Sequence, residues 1–146
     1  MNLFGVLEIS GSALTAERER AEVVTSNLAN AETTSTPEGG PYQRVQVVFS
    51  STHPQFEGFS SALASVSDLQ AQGVRVQQVV PDTMPPVRRY DPGNPEADKQ
   101  GYVSYPNVNP SEEMVDLMGA ARSYDLNASA IQATKSMIES SIDILR

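Results

Sequence analysis

Few residues in this 146-residue chain have side chains that could do chemistry. The single histidine, His53, lies in "STHPQF". A nucleophilic site of the serine–histidine–acid kind would need that imidazole beside a serine and oriented by a carboxylate. Nothing local provides the orienting acid, so His53 reads as a solvent-exposed loop residue. Asp91, Glu96 and Asp98 are close enough in sequence to suggest a cation site. Pro92, Gly93 and Pro95 are interleaved with them, and turn formation explains the acids more simply. Glu112, Glu113 and Asp116 fall in the first turns of a predicted helix, where acids interact favourably with the positive end of the dipole. There is no glycine-rich phosphate loop, no HExxH and no EF-hand spacing. With no cysteine, neither a disulfide framework nor a thiolate metal site can form. The sequence therefore offers no catalytic, cofactor-binding or metal-ligating residues. Its net charge of −8 argues against nucleic acid as a partner, because phosphate binding requires clustered Lys and Arg.

The elements that would position such residues carry a clearer signal. Asn109 is suited to cap a helix, Pro110 to its first position and Glu112 to a capping box. From there a row runs Met114, Leu117, Ala121, Tyr124, Ala128, Ile131, Lys135, Ile138, Ile142, Leu145, at alternating spacings of three and four. The spacing predicts a long helix over 110–145 with a coiled-coil-like seam. A second row follows Leu126, Ala130, Ala133, Met137 and Ile144. The N-terminal 3–32 stretch repeats the pattern. One row passes through Leu3, Leu7, Leu14, Ala21, Val24, Leu28 and Ala31. The other takes in Ile9, Ala13, Ala16, Val23 and Asn27, interrupted by Arg20. Asn30 is the expected stop, and "ETTSTPEGGP" is a loop.

Between the helices the chain reads as irregular β structure. "YQRVQVVF" places Val45, Val47 and Phe49 on one face. "GVRVQQVV" brings Val74 and Val76 into phase, and Val79 joins them only if a bulge lies near Gln77–Gln78. These two segments are expected to pair as a hairpin, with the Ser/Ala-rich 50–72 stretch between them as a loop or short helix. Five prolines and the turns "DPGN" and "PEADKQG" within 81–101 predict a backbone ordered by packing rather than by long ladders. "QGYVSYPNVNP" follows as a stiff aromatic connector. Its joint residues are Tyr102, Tyr105, Pro106, Asn107, Asn109 and Pro110.

The fold class is thus α+β. Long N- and C-terminal helices (1–34 and 110–146) pack as a coiled-coil-like pair around a small β-rich middle region (35–109). Two apolar rows on each of only two helices leave one seam of each uncovered within the chain. Neighbouring subunits are the simplest cover, which leads toward a polymer or tight helical oligomer. The expected assembly residues are Leu7, Leu14, Val24 and Leu28, with Leu117, Ala121, Tyr124, Ala128, Ile131, Ile138 and Ile142 on the C-terminal helix. No run approaches the ~20 apolar residues of a spanning helix. The first residues lack the basic and apolar regions of a cleaved signal peptide.

"GSALTAERERAEVVTSNLANAETT" (11–34) resembles the N-terminal signature of bacterial flagellar rod and hook proteins, with its Asn-Leu-Ala-Asn motif at 27–30. "YDPGNPEADKQGYVSYPNVNPSEEMVDLMGAARSYDLNASAIQATKSM" (90–137) is similar, more narrowly, to the proximal rod subunits among them. The likeness covers most of 1–49 and 73–145. The 50–72 stretch has no counterpart and reads as variable, and "YDLN" at 124–127 departs from an alanine common before the asparagine. The resemblance implies a structural, non-catalytic subunit of the basal-body rod that crosses the periplasm and transmits torque. Asn27 and Asn30 would join its assembly surface. It further implies an inner tube of terminal helices with termini disordered before assembly, and type III export with the N-terminus kept. Partners would be copies of itself, other rod subunits and the export apparatus. The alternatives are another axial subunit of the rod and hook family, or a soluble coiled-coil adaptor.

Overall fold

The structure, a computed structural model, describes residues 3–51 and 72–144. His53 and most of the 50–72 stretch lie outside the described residues, as does Leu145. Helix α1 spans Leu3–Ala29 and helix α2 spans Pro110–Ile144. Between them lie strands β1 (Val45–Ser51), β2 (Val74–Pro81), β3 (Val87–Tyr90) and β4 (Tyr102–Tyr105). The strands form two antiparallel pairs, β1–β2 and β3–β4.

Local sequence accounts for both helix limits. The α1 helix stops where expected. The Asn30 carboxamide donates to the Ser26 carbonyl at 2.9 Å, and Thr33 Oγ1 donates to Asn30 Oδ1 at 3.2 Å. At the start of α2, Asn109 Oδ1 accepts the Ser111 amide at 3.1 Å, the expected cap. Glu112 completes the cap differently from a capping box, taking its hydrogen bond from the Asn109 side chain at 3.1 Å instead of from the backbone.

The two helices run antiparallel. Asn27, near the end of α1, meets Glu113 at the start of α2, and Arg20 reaches Asp116 at 3.5 Å. The seam is not the predicted row. The residues that α2 buries are Glu113, Ala120 and Thr134, against a side of α1 that buries Ser10, Ala16, Val24 and Asn27. Alanine, serine and threonine let the helices approach closely, so the contact tracks the small residues. The larger ones are turned outward. Leu117, Ala128, Ile131 and Ile138 sit half-buried on the flank, while Met114, Ala121, Tyr124, Lys135 and Ile142 are exposed. Leu7, Leu14 and Leu28 of α1 are half-buried and Val24 is buried.

The β1–β2 hairpin crosses α1, tied at one end by Asn27 to Val45 and at the other by Ser12 Oγ, which accepts the Val74 amide at 3.0 Å. Its register runs from Val45↔Pro81 to Ser51↔Val74. It shifts between Val48 and Phe49, where Val48 opposes Gln78 and Phe49 opposes Val76. Gln77 is the extra residue, so the bulge lies where the valine phase slips.

The region 81–105 holds more ladder structure than the sequence suggested. The connector's Tyr102–Tyr105 is a strand, and "VRRY" pairs with it residue for residue. The arginines hide this strand from a hydropathy pattern, yet they are held by aromatic faces. Arg88 lies over Tyr102 at 5.2 Å, Arg89 over Tyr105 at 4.7 Å, and Tyr90 packs edge-on against Tyr102 at 5.4 Å. Val103, 2% exposed, is the only large side chain this hairpin buries, and it faces the 34–41 loop. The turn is closed by Asp98, whose Oδ1 accepts the Gln100 and Tyr102 amides and whose Oδ2 pairs with Arg88. Gly101 has φ +82°, and a Cβ there would stand 2.8 Å from the Tyr90 ring.

Gly101→Ala is therefore expected to destabilise the protein by at least about 1–2 kcal/mol through the left-handed backbone alone, read as a lowered urea midpoint. The Tyr102 amide, followed by that of Gln100 and the charge of Arg88, holds the Asp98 carboxyl below the usual carboxylate range. A depressed folded-state pKa means that this stabilisation is complete above the ordinary carboxylate pKa and is lost as pH falls through the lowered value. The acid-side fall in thermal midpoint should therefore be shallower in Asp98→Asn than in the wild-type protein.

Candidate assembly surface and the clasp beneath it

The most connected cluster of side chains joins both helices to the first hairpin. Asn27, 1% exposed, projects from the last turn of α1 toward the start of β1. Its Nδ2 donates to the Val45 carbonyl at 2.8 Å, while its Oδ1 accepts the Val45 amide at 3.0 Å. The carboxamide thus meets the outer edge of β1 as the peptide group of a third strand would. Nδ2 also donates to Glu113 Oε2 at 3.1 Å, and the Tyr42 hydroxyl donates to Oδ1 at 3.0 Å. Each polar atom of a fully buried asparagine is thereby satisfied.

Glu113, also 1% exposed, takes the guanidinium of Arg44 on its other oxygen at 2.6 Å. Arg44 passes the connection to Asp82 at 3.4 Å, beyond the end of β2. Asp82 in turn accepts the Met84 amide at 3.1 Å and the Gln46 carboxamide at 2.9 Å. The Met84 amide, assisted by Gln46 and Arg44, lowers the Asp82 pKa. Partial burial works against the Arg44 charge, but Glu113 and Asp82 outweigh it and raise the pKa above the ordinary arginine value. A buried carboxylate with this many partners is a structural tie, and its charge is compensated in place.

Sequence reasoning placed Asn27 among assembly residues and read Glu113 as a dipole-favouring surface acid. The structure puts both inside the chain and bonds them to one another. Arg44, Tyr42 and Asp82 were not anticipated. The available signal was weak: an arginine opening a strand, and three acids at a helix start where one would serve. Asn30 remains local to its helix end. Among the joint residues, Pro106 is buried and Asn107, Asn109 and Pro110 are exposed, while the Tyr105 hydroxyl donates to Asp91 at 3.2 Å.

On the opposite side of α2 lies a surface with no cover within the described chain. Val115, Met118, Leu126 and Met137 are 62%, 64%, 64% and 50% exposed. A helix ordinarily directs such residues inward. Here the inner side is already filled by α1, so the larger apolar side chains form an outer stripe.

Two segments match known families. Residues 7–35 match the flagella basal body rod protein family, and residues 99–144 match the flagellar basal body rod FlgEFG protein C-terminal family. With the paired terminal helices, they define the class as the structural subunits of the bacterial flagellar rod. Whole-length relatives narrow this. The chain is 39% identical to flagellar basal-body rod protein FlgC of Borreliella burgdorferi, over 100% of the chain and 99% of the relative. It is 40% identical to FlgC of Bacillus subtilis, over 99% of each, and 41% identical to FlgC of Escherichia coli O6:H1, over 94% of each. The chain belongs to the FlgC family of flagellar basal-body rod proteins.

Asn27→Leu would leave the Val45 amide and carbonyl, Glu113 and Tyr42 without their shared partner. A loss of about 1–3 kcal/mol is expected, measured by chemical denaturation. Gln132→Ala, on an exposed position of α2 remote from the clasp, serves as the comparison, and a wild-type midpoint for Asn27→Leu would show that the clasp contributes nothing.

Proposed function

We propose that the chain polymerises in the proximal rod through the outer face of α2 and transmits torque by side-chain packing alone. The observation that carries this reading is the exposed stripe Val115, Met118, Leu126 and Met137, on a helix whose other side is already occupied. Burying one such side chain contributes about 1.5–3 kcal/mol, so a few per subunit repeated around a tube give a stiff wall without any chemistry. Large exposed apolar patches on a subunit mark interaction surfaces. The predicted assembly residues divide accordingly. Ala121, Tyr124 and Ile142 remain on exposed parts of α2. Leu117, Ala128, Ile131 and Ile138 are shared between the flank of the helix pair and a neighbour. Leu7, Leu14, Val24 and Leu28 serve chiefly the chain's own packing, with Asn27 and Asn30 organising the end of α1.

The partners on this reading are copies of the chain and other rod subunits in the basal body. The type III apparatus exports it, and its N-terminus is retained. No helix among the described residues is long and apolar enough to cross a membrane. The clasp and the short passage from β4 to α2 hold the β-rich region at a fixed attitude to the helices, as a rotating shaft requires.

Met118→Asp and Leu126→Asp are the direct test. Each side chain is exposed in the single chain, so the helix content of the purified protein is expected to stay unchanged by circular dichroism. Export should continue while swimming in soft agar is lost. Wild-type swimming by both variants would refute assembly through this face.

A further inference from the structure

We propose that the open outer edge of β1 is a strand-docking site, and that its occupant is β3 of a second copy of this chain. The proposal rests on the reading of the chain as a polymerising subunit and specifies one of its contacts.

The backbone groups of β1 that face away from β2 define the edge. In an antiparallel ladder, residues alternate between those that exchange both backbone bonds with the partner strand and those whose N–H and C=O both point away. Val45 is of the second kind, since Asn27 takes both its groups from the side opposite β2. Two residues on, before the register shift at Val48/Phe49, Val47 has the same orientation. Among the described residues β1 has no strand partner but β2. The outward groups of Val47 face an open groove of about 400 Å³ between this edge and the helix pair, lined by Val23, Val24, Phe49, Arg20 and Asp116. Unpaired backbone donors and acceptors beside an open groove of mixed polar and apolar lining are the chemistry that recognises an extended peptide.

The β3 strand has the complementary properties. The Tyr102 amide and carbonyl are both bonded to Asp98, on the side away from β3. Tyr102 opposes Tyr90, so this is a non-hydrogen-bonded pair, and the Tyr90 backbone groups also turn outward. By the same alternation those of Arg88 do too. All four side chains of β3 are exposed, and β4 is its only strand partner among the described residues. Its length suits the site, because the Asn27 carboxamide closes the β1 edge at Val45 and the bulge interrupts it after Val48. The groove's own charges are already compensated in pairs, Arg20 with Asp116 and Arg44 with Glu113, so they leave the backbone edge as the feature that an incoming strand reads. Opposing Tyr90 to Val47 stops the incoming strand short of Asn27 and places Arg88 opposite Phe49. Because the contact joins two different surfaces, it is head-to-tail and propagates into an open helical array.

The chain has no cysteine, so introduced thiols report cleanly. Val47→Cys and Tyr90→Cys variants would be expressed together and singly as the only source of this subunit in swimming cells, then treated with a short bis-maleimide. Basal bodies from the mixture should give a cross-linked dimer on denaturing gels, and neither variant alone should. A dimer from Val47→Cys alone would mean that β1 pairs with β1 and would overturn the assignment. Absence of any dimer from cells that swim would leave the subunit reading intact and refute this contact. A second arm does not depend on cysteine placement. Val47→Pro removes the outward N–H without touching the β1–β2 ladder, and should abolish swimming while Val47→Ala preserves it. Swimming by Val47→Pro at the wild-type rate would also refute the proposal.

Discussion

The carboxamide of Asn27 is the interaction on which the arrangement depends. It has two donors and two acceptor sites, and the fold uses them to join the end of α1, the edge of β1, the start of α2 and the tyrosine that precedes β1. Without it the Val45 backbone and the Glu113 carboxylate would be buried without adequate partners. Arg44 and Asp82 extend the tie to the end of β2. One side chain therefore sets how the hairpin sits on the helices, and the charges around it are compensated by each other.

The need for such a tie follows from how little apolar surface the single chain buries. Among the described residues the fully buried hydrophobic ones are Ala16, Val24, Val103 and Ala120. Small seam residues bring the helices close but release little surface from water, so the helix pair gains direction from the polar clasp and leaves its larger side chains outside. That division suits a subunit whose packing is completed by neighbours. The stripe on α2 stays available because the inner seam does not need it. The second hairpin shows the same economy: it buries one valine and relies on stacked arginines, tyrosines and an Asp98-centred turn.

Much of this was legible in the sequence because local physics dictates it. The Asn109–Pro110 start of α2, the stop at Asn30 and the slip at Gln77 each follow from a residue's own backbone preferences or from strand alternation. Helix periodicity showed that α1 and α2 exist and that each carries more apolar surface than one partner can cover. Likeness to rod proteins at both ends of the chain supplied the family, which the whole-length relatives establish. The Tyr102–Tyr105 strand was harder to see, because its partner is half arginine and its stability comes from cation–π contacts across the pair.

By itself, then, the sequence determined the element types, the helix limits, the bulge and the excess of apolar rows. Which row becomes the seam was decided only by tertiary structure. Periodicity identifies the rows, but closest approach between two helices depends on side-chain volume at the contact, and alanine and threonine won that place over methionine and leucine. Tertiary structure also decided that Asn27 and Glu113, 86 residues apart, share one hydrogen bond. No local preference encodes that meeting, since it arises only when two helix ends and a strand edge are brought together away from water.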